Sequence, residues 1–308
     1  MSKSEAPEAA PTFLREAPAS GRIEAVSPLI RRLVCPNAGP FTQSGTCTYL
    51  VGQGRVAVID PGPDHPGHRA ALLAALDSET VEAILVTHTH RDHSPGARPL
   101  AAATGAPILG CGPHRPARVV RGPEQGRLDA AGDAEHRPDR ELAEGDSVSG
   151  PGWTLTALAT PGHTMNHLAF SFPEEGTLFS GDHVMAWSTS IVAPPDGAMG
   201  AYMASLDRLR GRSESVYWPG HGGPVREPQR FVRGLLSHRR ARETGILERL
   251  NAGERTIPGL VAALYSGLDP MLRPAAALSV FAHLEDLVER GRVVTDGLPA
   301  LDSEYRPG

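Results

Sequence analysis

Cysteine is scarce in this chain of 308 residues, which carries only Cys35, Cys47 and Cys111. An odd, scattered set rules out a disulfide framework, and reduced thiols fit a cytoplasmic location. None of the three stands inside the polar motifs described below, so no cysteine nucleophile is expected and each suits the role of a small buried hydrophobe. A long uncharged apolar run is also missing, and with it any transmembrane helix. The first twenty residues are rich in Ala, Pro and Glu and have no continuous apolar core. That excludes an ordinary secretory signal and leaves residues 1–21 as a disordered or loosely docked tail. Nor is positive charge in excess: 30 Lys and Arg against 35 Asp and Glu give a net charge of −5. Such a balance offers no general attraction to nucleic acid or to an anionic membrane.

What is present is ligand chemistry at strand ends. The stretch Val-Thr-His-Thr-His-Arg-Asp-His over residues 86–93 places His88, His90, Asp92 and His93 within six positions. It directly follows residues 81–86, whose length and branching are those of a buried strand. Imidazole and carboxylate together suit zinc, iron and manganese. The alternate spacing of His88 and His90 sends both side chains to one side of an extended segment. Asp92 and His93, around the following bend, can face a second ion nearby.

Three later segments share one form, an apolar run closed by a tight turn that carries a ligand-type residue. They are Thr-Pro-Gly-His163, Phe-Ser-Gly-Asp182-His183 and Trp-Pro-Gly-His221. Glycine allows each backbone to turn sharply, and proline fixes the approach in two of them. Any one of these turns would mean little. In this order, after the first cluster, they form a specific pattern.

The pattern His-x-His-x-Asp-His, then His, Asp and His, each at a strand end, resembles the metallo-β-lactamase superfamily over residues 45–225. The resemblance implies an αββα sandwich of two mixed sheets with helices outside and the site along one edge. It implies that His88, His90 and His163 hold one metal, that Asp92, His93 and His221 hold the other, and that Asp182 bridges them. Asp92 and Asp182 would then be the carboxylates closest to the chemistry, with two zinc ions per chain as cofactors and iron or manganese as substitutes. Residues 37–51 are similar to the N-P-G-P-x-T-x-x-G-T-N-T-Y-L-V signature of relatives of β-lactamase-like protein 2, with departures at Ala38 and Cys47. The superfamily commonly places an aspartate below the ligands at the position of Asp60, which is the supporting residue expected here. His183 follows Asp182 directly, and a strand neighbour points the other way, so it is expected behind the ligands.

Coarse structure follows from the same pass. Residues 47–51 and 55–59 read as a hairpin across Gly52-Gln-Gly54. Helices are expected over 66–76, 95–103 and 202–210, and strands over 107–109, 153–159, 167–172, 177–180 and 216–218. Residues 112–147 lack apolar periodicity and are either a wall over the substrate cleft or a solvated connector, with His114 and His136 as surface residues. The turn-rich stretch 186–200 should line the pocket, with Met185 and Trp187 as apolar contacts. The metal-binding domain is expected over 22–228 and a winged-helix-like domain over 229–308, built from helices 231–250, 257–265 and 274–290 and a strand at 291–294. Glu285, Asp286 and Glu289 on its third helix carry the wrong sign for phosphate, which disfavours a DNA-binding regulator. Only Arg233 and residues 239–242 form a basic cluster able to steer an anion. Apolar faces left over in this domain call for a partner surface, the pocket loops or a second subunit in a homodimer.

Hydrolysis is the expected chemistry, by a hydroxide held between two cations. The acidic balance and the Met185/Trp187 region favour a small-molecule ester, thioester or lactone. Phosphodiester cleavage, as in an endoribonuclease, is the alternative, together with β-lactamase activity. A flavodiiron-type redox protein would need a flavodoxin domain and a further acidic ligand, and this chain has neither.

Overall fold

The computed structural model describes residues 10–118 and 131–308. The chain begins with β1 (Ile23–Ala25), β2 (Ile30–Val34), β3 (Cys47–Val51), β4 (Arg55–Ile59), α1 (Pro66–Ala75), β5 (Thr80–Val86), α2 (Ala97–Thr104), β6 (Ile108–Gly110) and β7 (Arg140–Glu141). Among the described residues these strands form one sheet in sequence order, antiparallel from β1 to β4 and parallel from β4 to β7. The second sheet holds β8 (Ser147–Gly150), β9 (Trp153–Ala159), β10 (Leu168–Phe172), β11 (Thr177–Gly181) and β12 (Val216–Pro219). It is antiparallel from β8 to β11, and α3 (Met199–Arg210) crosses over to make β12 parallel to β11.

Burial explains the layering. In β9, Trp153, Leu155 and Ala157 are buried while Thr154 and Thr156 are partly exposed, the alternation of a strand with one covered face. β3 and β10 are buried at every residue, as strands covered on both faces must be. Phe170, Phe172 and Phe179 face Tyr49, Ile59 and Leu85 between the sheets, with the Tyr49 and Phe179 rings 5.1 Å apart, while Leu50, Val58 and Ile84 alternate to the outer side of the first sheet, which Leu72 of α1 and Leu100 of α2 close. Tyr202, Leu206 and Leu209 of α3 close the second. The result is the expected αββα sandwich. α1 starts where the side chain of His65 accepts from His68 N–H (3.1 Å) and Pro66 sets the first turn. The helix expected from residue 95 starts at Ala97 because residues 94–96 belong to a turn, with Ala97 N–H donating to the Ser94 carbonyl (3.0 Å).

The remainder comprises α4 (Pro228–Asn251), α5 (Ile257–Leu264), α6 (Arg273–Glu289) and the antiparallel pair β13 (Val293–Thr295) and β14 (Tyr305–Pro307). Ile246, Leu250, Leu260, Phe281 and Leu284 give this winged-helix domain its own core. The first half of α4 does something else: Val232, Leu235 and Leu236 pack with α3 on the sandwich. Two arginines of the basic cluster expected on α4 are spent internally, while Arg240 is exposed. Arg239 is buried and donates to the Ser190 carbonyl and to the Ser279 hydroxyl. Arg242 donates to the Leu264 carbonyl (2.9 Å) and lies 4.0 Å from the Tyr265 ring centroid. On α6, Glu285 pairs with Arg118 (2.5 Å) and Asp286 lies against Gly200 in the first turn of α3, so the acidic residues face the sandwich.

Residues 1–9 of the expected tail and residues 119–130 of the expected insertion lie outside the described residues. What precedes β1 docks on the fold: Leu14 N–H donates to the Ala186 carbonyl (2.9 Å), and the Phe13 and Phe231 rings meet at 5.9 Å. The described start of the insertion runs beside the site. Asn166 Nδ2 donates to the carbonyls of Gly112 (2.9 Å) and Pro113 (3.2 Å), and Ala117 N–H donates to the Pro195 carbonyl (2.6 Å). His136 is buried, not on the surface, with its Nε2 3.2 Å from the Cys111 carbonyl.

Candidate metal centre

The turns that end β5, β9, β11 and β12 bring His88, His90, Asp92, His93, His163, Asp182 and His221 to one edge of the sandwich. Close approach there demands glycine. A Cβ on Gly220, the residue before His221, would run into Asp182 Oδ1 and His93 Cε1. Gly181, at φ 49°, plays the same part before Asp182, with His167 in the way of any side chain.

Each imidazole is held by one nitrogen so that the other faces inward. His88 Nδ1 lies 2.9 Å from the Thr87 hydroxyl, which itself donates to Asp60 Oδ2 (2.7 Å). His90 Nε2 lies 3.3 Å from Asp196 Oδ2, and His163 Nδ1 donates to the Ile191 carbonyl (2.5 Å). Consequently His90 Nδ1 and His163 Nε2 face each other at 2.9 Å. His93 Nδ1 meets Asp60 Oδ2 at 2.9 Å, and His221 Nδ1 meets the Gly45 carbonyl at 3.2 Å. Their Nε2 atoms then sit 3.3 Å apart, with Asp92 Oδ2 3.1 Å from that of His221. His88, His90 and His163 form one group with ligand atoms within 4.8 Å of one another, and Asp92, His93 and His221 form another. Asp182 touches both: its Oδ2 is 3.7 Å from His163 Nε2 and 3.2 Å from His221 Nε2.

The donor set fits a pair of cations. His88 Nε2 is buried with no hydrogen-bond partner, a costly arrangement for a lone pair that faces no positive charge. Electrostatics agree. Burial, reinforced by neighbouring histidines, holds His88 far below 6.5 and His163 at about 4, so both are neutral ligands. Burial also opposes charge on His93 and His221, but there the carboxylates of Asp92 and Asp182 win, and His221 rises to about 9. Asp92 and Asp182 are pushed down in turn, burial being outweighed by those two imidazoles. In the absence of metal, protons on His93 and His221 supply the positive charge that the carboxylates require.

Asp60 adopts φ 49°, a strained backbone for a residue with a side chain, and its two oxygens collect Thr87 N–H (2.8 Å), the Thr87 hydroxyl and His93. It supports His93 directly and His88 through Thr87. His183 points away from the cluster, its ring 4.6 Å from that of Tyr202. Met185 is buried, and Trp187 packs on Gly222 beside His221. Three residues near the site escaped the reading of the sequence. His167 accepts Asp182 N–H (3.2 Å) and meets the Thr160 hydroxyl (2.7 Å), and its only sequence signal is a place four residues after His163. Asp196 joins His90 to His114, whose Nε2 lies 3.1 Å from Asp196 Oδ1. His114, expected on the surface, is 9% exposed because its Nδ1 is tied to Thr89 (2.9 Å).

Comparison with known proteins agrees with this geometry. The chain matches the metallo-β-lactamase superfamily over residues 41–221 and the β-lactamase associated winged helix domain over residues 256–300. It is 32% identical to the Beta-lactamase-like protein 2 homolog of Drosophila melanogaster, over 87% of this chain and 90% of that protein. It is 28% identical to the Atrochrysone carboxyl ACP thioesterase of Aspergillus terreus, over 91% of this chain and 84% of that one. The crystal structure of a metallo-β-lactamase family protein from Thermus thermophilus superposes with a TM-score of 0.73 at 27% identity, covering 92% of this chain and 100% of that one. The chain therefore belongs to the metallo-β-lactamase superfamily. It is an enzyme, a metal-dependent hydrolase of that superfamily with a C-terminal winged helix domain.

Proposed function

We propose that this hydrolase is dinuclear and cleaves the acyl C–O or C–S bond of a small ester, thioester or lactone. The observation that carries the reading is Asp182, a buried carboxylate in contact with both ligand groups, so that two cations would share one site. His88, His90 and His163 would hold one ion, and Asp92, His93 and His221 the other. Bound ions supply Lewis acidity and a nucleophile at neutral pH. The protein's own groups do the rest: Asp60, Asp196 and Ile191 fix imidazole orientation, and the apolar side chains of Met185 and Trp187 exclude water beside the ligands. In the overall reaction the carbonyl carbon gains the oxygen of water, the C–O or C–S bond breaks, and a proton reaches the leaving alkoxide or thiolate.

Zinc is the proposed metal, two per chain, with iron or manganese as substitutes. Cys35, Cys47 and Cys111 are free and buried, which fits a reducing cytoplasm. Among the described residues no helix is long and apolar enough to cross a membrane. RNA is the weaker substrate, because Arg239 and Arg242 are already committed inside the protein. A panel of acyl thioesters, esters, lactones, a β-lactam reporter and single-stranded RNA decides the matter, with Asp182→Ala in parallel. Acyl turnover that is lost in the variant is the expected outcome. RNA or β-lactam cleavage as the fastest metal-dependent reaction would overturn the reading.

A further inference from the structure

One residue removed from the candidate ligands, none of which lines it, lies a cavity of about 250 Å³ whose walls come from two parts of the fold. Met185, Trp187 and Ile191 line one side, from the connection after β11, and Tyr265, Leu268 and Ala275 line the other, from the winged-helix domain. Its lining comes close to the candidate ligands twice. The Ile191 carbonyl holds His163, and the Trp187 ring packs on Gly222 beside His221. No carboxylate lines it. Its one arginine, Arg239, is bound to Ser190 and Ser279, and burial together with Arg239 and Arg242 holds the lining His238 neutral, at about 4. A larger cavity of about 960 Å³ sits between α3 and α6, but Glu285, Asp286, Glu289 and Asp302 line it, a poor setting for hydrocarbon.

We propose that the smaller cavity is the acyl subsite, receiving the uncharged alkyl or aryl part of the substrate, and that the winged-helix domain sets the length it accepts. This rests on the acyl-hydrolase reading above. At roughly 30 Å³ for each water-sized group, the space holds about eight non-hydrogen atoms. It therefore suits a hexanoyl to octanoyl chain or a single aromatic ring, and excludes a fused polycyclic acyl group. Leu268 and Ala275 are the specificity-determining positions, because they face the space without ligating anything.

The test is a series of N-acetylcysteamine thioesters from acetyl to dodecanoyl, turned over by the metal-loaded full chain. Burial of the added methylenes should raise kcat/KM roughly tenfold or more between acetyl and hexanoyl, with a fall by dodecanoyl. Ala275→Trp, which fills the space, should lower the octanoyl-to-acetyl ratio of kcat/KM by about tenfold or more, and Leu268→Ala should shift the optimum to longer chains. Metal content is measured for each variant to show that the ligands are intact. A flat profile in the parent chain, or one that both variants leave unchanged, overturns the subsite while the hydrolase reading stands. Should no acyl compound be turned over, that reading fails and calorimetric titration with octanoate and acetate judges the cavity alone. Octanoate binding that Ala275→Trp weakens supports it; equal binding of octanoate by the two proteins, or none by either, overturns it.

Discussion

The two halves of the candidate centre are built from similar residues yet are charged in opposite ways. At His88 and His163, burial and the neighbouring histidines outweigh the pull of Asp182, and both stay neutral. Around His93 and His221 the carboxylates Asp92 and Asp182 crowd in, and both imidazoles are held protonated well above their ordinary range. One half waits with lone pairs already free. The other is an internal salt of two carboxylates and two imidazolium rings that a cation must break. Residue type alone would not separate them; Asp92, which adds a carboxylate beside His93 and His221 but not beside His88 or His163, does.

The largest expected effect removes the residue common to both halves. Asp182→Ala should empty both sites by elemental analysis and reduce hydrolysis by more than the roughly 10–100-fold typical of an outer partner. Retention of two ions would show that the halves do not share it. Next, single deletions should separate them: His88→Ala should lose the first ion and His221→Ala the second, each chain keeping about one ion at micromolar free metal. Loss of both ions from either variant would mean that the halves form one cooperative site.

Proton release comes third. The folded pKa of His221, about 9, lies above its ordinary 6.5, so its contribution to metal-free stability is complete below 6.5 and is lost as pH rises through 9. Binding in this half at pH 7 should therefore expel about two protons, one each from His93 and His221, and binding in the other half about none from His88 or His163. Calorimetry in buffers of different ionisation enthalpy measures this, and equal release by the two steps would erase the contrast. The smallest effects belong to the outer partners. Asp196→Asn should weaken only the first ion, by about 10–100-fold, whereas Asp60→Asn should weaken both, because Asp60 reaches His93 directly and His88 through Thr87.

The clustering of the candidate ligands was legible because four of them crowd into residues 88–93 and the other three each close an apolar run with a glycine turn. The strands were legible from apolar runs bounded by turn residues, as in β3 and β9, whereas the αββα sandwich followed from the resemblance carried by the ligand motifs. Asp196 and His114 were not, because neither has a periodic neighbourhood and their partners are distant in sequence: Asp196 meets a histidine 106 residues away. Arg239 misled in a different way. Adjacent arginines look like a solvated patch, but successive helical positions face different directions, and this one points into the fold. β14 is three residues, Tyr-Arg-Pro, and only its pairing with β13 makes it a strand.

α4 runs for 24 residues, about 36 Å at helical rise, with Leu235 fixed in the core of the sandwich and Leu250 in that of the winged-helix domain. Loss of either core frees one end of this rod, so the expected outcome in calorimetry is one shared melting transition. Metal bound at the edge of the sandwich should then raise the melting temperature of the whole chain and slow amide exchange in α5 and α6, which carry none of the candidate ligands. Through the shared helix, the stability of the proposed acyl-cavity wall would depend on the occupancy of a site whose candidate ligands lie on other elements.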